Sequence, residues 1–126
     1  MVPVNGINGI SIEGDKTYIS NCNIDMNNEY GIKISNVKHN YLGFNHISNN
    51  NHDGVYLYSS INNKILQNNF INNKRNAYFS KDSSNSWDRN YWNKPRLFPK
   101  LILGKIHDFW PSINIDWHPA KVPYDI

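Results

Sequence analysis

The chain has one cysteine, Cys22, and so no internal disulfide framework; a lone thiol says little about redox compartment. It has no run of apolar residues long enough to cross a membrane as a helix. Met1 to Gly6 has neither the basic start nor the apolar core of a signal peptide. Excess charge of one sign is also scarce. Lys and Arg number 13 against 10 Asp and Glu, a net charge of +3. That excess is too small and too dispersed to argue for nucleic acid, and no nucleic-acid partner is expected. Nor is there a helical period: apolar residues do not recur three and four apart over any long stretch.

Asparagine is abundant instead, and it is in register. Gly31-Ile32-Lys33-Ile34 falls over Gly54-Val55-Tyr56-Leu57, Asn40-Tyr41-Leu42 over Asn63-Lys64-Ile65, and Asn45-His46-Ile47 over Asn68-Asn69-Phe70. The offset is roughly 23 residues each time, a period typical of repeat architectures. Gly9-Ile10-Ser11-Ile12, Tyr18-Ile19 and Cys22-Asn23-Ile24 extend the pattern upstream. Ala77-Tyr78-Phe79, Asn85-Ser86-Trp87 and Asn90-Tyr91-Trp92 extend it downstream with one residue dropped. A disordered asparagine-rich tract has no reason to keep its aliphatic residues in register.

Roughly four turns with three short strands each specify an all-β protein, a right-handed parallel β-helix. Residues 1–93 are expected to form the repeats, and 94–126 a C-terminal cap and irregular tail. Alternation along each strand predicts inward columns Ile10/Ile32/Val55/Tyr78, Ile12/Ile34/Leu57/Ser80, Ile19/Leu42/Ile65/Trp87 and Ile24/Ile47/Phe70/Trp92. Cys22/Asn45/Asn68/Asn90 and Asn40/Asn63/Asn85 fall at corners. Asparagine there can take a positive φ, and stacked amides can bond from turn to turn. These six asparagines are read as structural ladders.

The period stops at Asn93. A solenoid end exposes an open core and unpaired edges and needs a cover. Residues 95–110 are read as that cap, a short helix or hook, with Leu97, Leu101, Ile102 and Phe109 lying over Trp87 and Trp92. The same stretch, with Lys94, Arg96, Lys100 and Lys105 beside apolar residues, also reads as a segment for a membrane surface over 94–110. Residues 111–126 look like an extended tail packed along the solenoid side.

Gly31-Ile32-Lys33-Ile34, Asn45-His46-Ile47-Ser48-Asn49-Asn50 and Ile61-Asn62-Asn63-Lys64-Ile65 resemble the right-handed parallel β-helix repeat family, which has a pectin-lyase-like fold, and more closely its NosD-like members. Asn90-Tyr91-Trp92 is similar to the element that ends many such arrays. The resemblance covers roughly residues 9–93. It implies the fold strongly and leaves function open, since the family includes polysaccharide lyases, hydrolases and epimerases, copper-binding members and non-enzymatic surface proteins. A fold of this kind does not choose among them. The tail is similar to C-terminal extensions of archaeal surface proteins of this type, and the chain reads as a C-terminal piece of a longer protein.

Three chemistries follow from the columns. Catalysis on two carboxyls needs them roughly 5–9.5 Å apart, and no acidic residues stack in adjacent turns. The best catalytic row is Glu29/His52/Arg75, weighed against a solvated charge ladder. Copper, implied by the resemblance, wants His, Met and Cys to converge. Cys22, Met26, His39, His46, His52, His107 and His118 show no such spacing, so no metal site and no cofactor are expected. Binding has more to draw on. Lys33, Tyr56, Tyr58, Phe79 and Lys81 are expected outward on the first sheet, where aromatic rings stack on sugars and Lys pairs acidic groups.

The sequence thus reads as a non-catalytic module of a secreted or cell-surface protein, with a structural role and a polysaccharide or cell-surface glycan as partner. The rival is the C-terminal part of a polysaccharide lyase, hydrolase or epimerase whose catalytic turns lie upstream. NosD-like copper binding ranks third.

Overall fold

A computed structural model describes residues 8–81, 84–106 and 110–126. Among them the chain is strand and turn throughout, wound into a β-solenoid of about four turns. The first turn is β1 (Ile10–Ile12), β2 (Tyr18–Ser20) and β3 (Asn23–Asp25). The second is β4 (Ile32–Ser35), β5 (Tyr41–Gly43) and β6 (His46–Ser48). The third is β7 (Asp53–Tyr58), β8 (Lys64–Leu66) and β9 (Asn69–Ile71). The fourth is β10 (Arg75–Ser80), β11 (Ser86–Asp88) and β12 (Tyr91–Trp92). Each strand pairs in parallel with its counterpart one turn on, giving three faces, β1-β4-β7-β10, β2-β5-β8-β11 and β3-β6-β9-β12.

The interior is a set of aliphatic stacks that turn aromatic in the fourth turn. Ile12, Ile34 and Leu57 lead to Phe79; Ile19, Leu42 and Ile65 to Trp87; Ile24, Ile47 and Phe70 to Trp92, all buried. Phe70 and Trp92 stack with centroids 4.5 Å apart and planes within 6°. Gly9, Gly31 and Gly54 allow close approach between rungs: a Cβ on Gly31 would sit 2.6 Å from the Gly54 carbonyl oxygen.

The register corrects two of the expected columns. Ala77 lies on Val55, Tyr78 on Tyr56, Phe79 on Leu57 and Ser80 on Tyr58. The dropped residue therefore falls at the corner before β10, between Asn73, which still keeps the 23-residue spacing to Asn50, and Arg75, which pairs with Asp53. A one-residue shift turns every side chain of a strand over. Tyr78 faces out, and Phe79, expected outward as a sugar-binding ring, is core at 1% exposure.

Each of the three corners carries an amide ladder. Before the second strand, Thr17 N donates to Asn40 Oδ1, the N and Nδ2 of Asn40 donate to Asn63 Oδ1, and those of Asn63 to Asn85 Oδ1. Before the third strand, Cys22 N donates to Asn45 Oδ1, Asn45 to Asn68, and Asn68 to Asn90, again by N and Nδ2. After the third strand a further ladder, not anticipated above, joins Asn27 to Asn50 and Asn50 to Asn73. The left-handed residue is the one before each rung rather than the rung asparagine: His39, Asn62, Asn21, Phe44, Gln67, Arg89, Met26, Asn49 and Asn72 all have φ between 53° and 61°. Asn and His tolerate that region, but Phe44, Gln67, Arg89 and Met26 do not favour it. The buried amide bonds next door offset the cost.

The cap, expected as a short helix or hook, is a β-hairpin. β13 (Lys100–Ile106) and β14 (Trp110–Asp116) pair antiparallel, while β13 adds in parallel to β10 and β14 to β11. The hairpin thus closes the end of the solenoid by joining two of its faces. Of the expected cover residues that are described, Ile102 alone is buried, at 2% exposure. Leu97 and Leu101 are exposed, and Phe109 lies outside the described residues. The reason is alternation: Leu101 and Leu103 point away from the core, in β13 only Ile102 and Gly104 are buried, and a Cβ on Gly104 would run into the Phe79 carbonyl and ring.

Asp116 ends the middle ladder. Its Oδ2 accepts from Asn90 N at 2.9 Å, Asn90 Nδ2 at 3.2 Å and Trp92 Nε1 at 2.9 Å; its Oδ1 accepts from Arg89 N and His118 N. A carboxylate suits the last rung because nothing beyond it has to accept. The tail then runs back along the solenoid. Ala120 N donates to Asn90 O, Tyr124 and Asn69 exchange two hydrogen bonds of 2.8 Å, and the Tyr124 ring meets Phe44 edge-on.

Candidate ligand-binding face

The outward side of the first face carries the residues expected to bind sugars. Lys33, Tyr56 and Tyr78 occupy one outward row, with Ser35, Tyr58 and Ser80 in the next. Tyr30 joins them from the corner before β4. Its ring stacks on Tyr56 with centroids 4.9 Å apart, and Tyr56 in turn faces Tyr78 at 6.4 Å. Tyr56 OH is 2.7 Å from Ser80 Oγ, which fixes the ring. Lys33 Nζ stands 6.0 Å from the Tyr30 ring centre and Lys81 Nζ 5.2 Å from that of Tyr58.

This geometry changes what the face offers. Tyr56 is sandwiched, so neither of its ring faces is open to a sugar. What remains outward is polar: phenol edges, the Ser35 hydroxyl, the Asn36 amide and the Lys33 ammonium. Together Tyr30, Lys33, Ser35, Asn36, Tyr56 and Tyr58 line a shallow concavity of about 460 Å³. The tail makes its contacts with Asn69, Arg89, Asn90 and Phe44 and leaves this face to solvent.

The Glu29/His52/Arg75 row lies on successive rungs joined by the backbone, His52 N donating to Glu29 O at 2.9 Å and Arg75 N to His52 O at 3.4 Å. The Arg75 side chain turns to Asp53, its Cα partner, and its Nε and Nη2 grip the two Asp53 oxygens at 2.6 and 3.1 Å. Asp53 is wholly buried, and His52 Nδ1 stands 3.4 Å from its Oδ1. Burial pulls the Arg75 guanidinium down, but the hydrogen bond and charge of Asp53 outweigh it and hold Arg75 above its ordinary range. Arg75 also lies 3.7 Å over the Tyr78 ring. The pair is a buried charge brought to neutrality at the root of the tyrosine stripe. Burial, then the Asp53 charge, raise the Tyr30 phenol, so Tyr30 stays a neutral donor.

A family described as periplasmic copper-binding protein (NosD) matches residues 3–102. The chain belongs to the NosD family. No curated protein and no solved structure matches it. The copper in that family's description fits poorly with the NosD repeats present here. Among the described residues no three His, Cys, Asp or Glu groups come together. Cys22 Sγ donates to Ser20 O, His46 contacts Asn69, His118 pairs with Asp88, and His52 faces Asp53, each at a different place on the solenoid. His107 lies outside the described residues.

Sequence reasoning missed Asp53, Asp116, Tyr30 and the Asn27/Asn50/Asn73 ladder. The ladder was available, because its members stand 23 residues apart. The two aspartates were not, because each occurs once in its column.

Proposed function

We propose that this chain is a non-catalytic β-helix module of a secreted or cell-surface protein, and that its first outward face takes an acidic glycan. The observation that carries this is the concavity at Lys33, with a cation set among the hydroxyl and amide groups of Tyr30, Ser35, Asn36, Tyr56 and Tyr58. A hydroxyl-rich chain meets donors and acceptors there, and a uronate carboxylate meets Lys33 by a charge-assisted bond. Periplasmic in the family description agrees with an extracytoplasmic place. Catalysis has less support, since the buried acid nearest the face, Asp53, is already held by both arms of Arg75.

Calorimetric titration with oligogalacturonate and a neutral oligosaccharide tests the reading. We expect binding of the acidic ligand, weakened about tenfold by Lys33→Ala, the scale of one charge-assisted hydrogen bond. Absence of binding, or equal binding of both ligands unaffected by Lys33→Ala, overturns it. Release of unsaturated sugars, abolished by His52→Ala, would promote the enzyme-fragment reading instead.

A further inference from the structure

The outer surface of the closing hairpin is apolar and cationic at once. Alternation puts Leu101, Leu103 and Lys105 of β13 beside Ile115, Ile113 and Pro111 of β14 on the side away from the core. Leu103 is 59% exposed and Ile113 48%. Leu97 and Phe98, in the loop leading to the hairpin, are more exposed still. Such a contiguous apolar surface on a folded chain marks an interaction site.

Charge selects the occupant. From Lys94 to the end of β14 at Asp116 the sequence has four basic residues, Lys94, Arg96, Lys100 and Lys105, and two acids, Asp108 and the buried ladder terminus Asp116, so this segment carries +2 of the chain's +3. Lys94 and Lys105 are exposed; Arg96 is half-buried, and Lys100 lies on the core side of β13 with its Nζ 5.8 Å from the Trp92 ring centre. A second copy docking lid to lid would bring like charges together at an apolar seam. An anionic bilayer surface complements both features: its headgroups receive Lys94 and Lys105, and its interfacial zone receives Leu97, Phe98, Leu103 and Ile113.

We infer that the closing hairpin docks on an anionic lipid surface through its outer side, where Leu103, Lys105, Pro111 and Ile113 line a concavity together with Tyr78. The inference does not depend on the glycan reading.

Co-flotation of the full chain with vesicles of phosphatidylcholine alone, and of phosphatidylcholine mixed with phosphatidylglycerol, tests it. We expect binding to the mixed vesicles alone, falling with added salt. Lys94→Ser and Lys105→Ser should each weaken it roughly fivefold, the scale of one cation near an anionic surface. Leu103→Ser with Ile113→Ser should weaken it roughly tenfold or more, with the thermal unfolding midpoint held, since both face outward. No binding to anionic vesicles overturns the inference. So does binding indifferent to all of these substitutions. Concentration-dependent dimerisation, lost in the Leu103/Ile113 variant and without vesicle binding, would hand the surface to a second copy.

Discussion

The body of the solenoid and the hairpin that closes it meet the same demand with different chemistry. At the middle corner each asparagine rung sends two donors upward, a backbone N–H and an amide Nδ2, while Cys22 sends its backbone N–H alone. In the body an asparagine receives them, Asn45 from Cys22 N and then Asn68 and Asn90 in turn. An asparagine can continue, because its own amide then donates both upward and back to a carbonyl of the preceding turn, as Asn68 does to Leu42 O. At the closing hairpin Asp116 receives five donors and passes nothing on. Repetition needs a group that accepts and donates; termination needs one that only accepts.

The sharpest way to break this comparison is to exchange the two residue types. Asp116→Asn places an NH₂ against donors whichever way the amide is turned, because both carboxylate oxygens accept. Asn68→Asp places a carboxylate against Asn90 Oδ1, Leu42 O and Leu66 O. Each exchange leaves buried polar groups facing their own kind, and each should cost about 2–5 kcal/mol in denaturant unfolding. A cost under about 1 kcal/mol for Asp116→Asn would mean that the ladder does not end there.

A second contrast sits inside the hairpin, on neighbouring residues. Ile102 covers the aromatic top of the core, and Ile102→Ala should cost about 2–4 kcal/mol through the cavity it leaves. Leu103 faces away from the core, and Leu103→Ser should change stability by no more than about 0.5 kcal/mol. Equal costs at the two positions would show that the outer side of the hairpin is packed in the free protein.

These contrasts also show what was legible. Where a side chain's partner is its own counterpart one turn away, the period exposes it, so the aliphatic columns and the Asn40 and Asn45 ladders could be read directly. Tyr78 and Phe79 were inverted because a one-residue omission can be placed at any corner on paper. Only the Arg75 to Asp53 pairing fixes it before β10. The hairpin carried no period. Its Pro-rich approach and dense apolar residues suggested a helix or hook, whereas the open edges of β10 and β11 are satisfied by two added strands. Of the candidate face, Lys33, Tyr56 and Tyr58 were legible from alternation; Tyr30 was hidden in a corner.

The smallest expected effect lies in the alkaline limb of stability, where the two regions should move in opposite directions. Burial and the Asp53 charge raise the Tyr30 phenol above its ordinary 10.0 in the body. Burial, assisted by Asp116 and Asp88 and opposed by Arg89, does the same for Tyr124 in the tail. The folded chain therefore holds these protons more tightly than the unfolded chain. Their contribution is complete below pH 10.0 and is lost as pH rises through the folded values. Lys100 in the hairpin is lowered from 10.5, first by burial and then by Arg96 and Lys94. There the unfolded chain holds the proton more tightly, so stability rises with pH from the folded value up to 10.5. Unfolding midpoints measured across this range should therefore rise slightly before they fall. Tyr30→Phe should flatten the fall and leave the rise, and Lys100→Met should remove the rise and leave the fall. A Tyr30→Phe curve that follows the parent above pH 10.0 would separate the Tyr30 phenol from the buried Asp53 charge and detach the tyrosine stripe from its root.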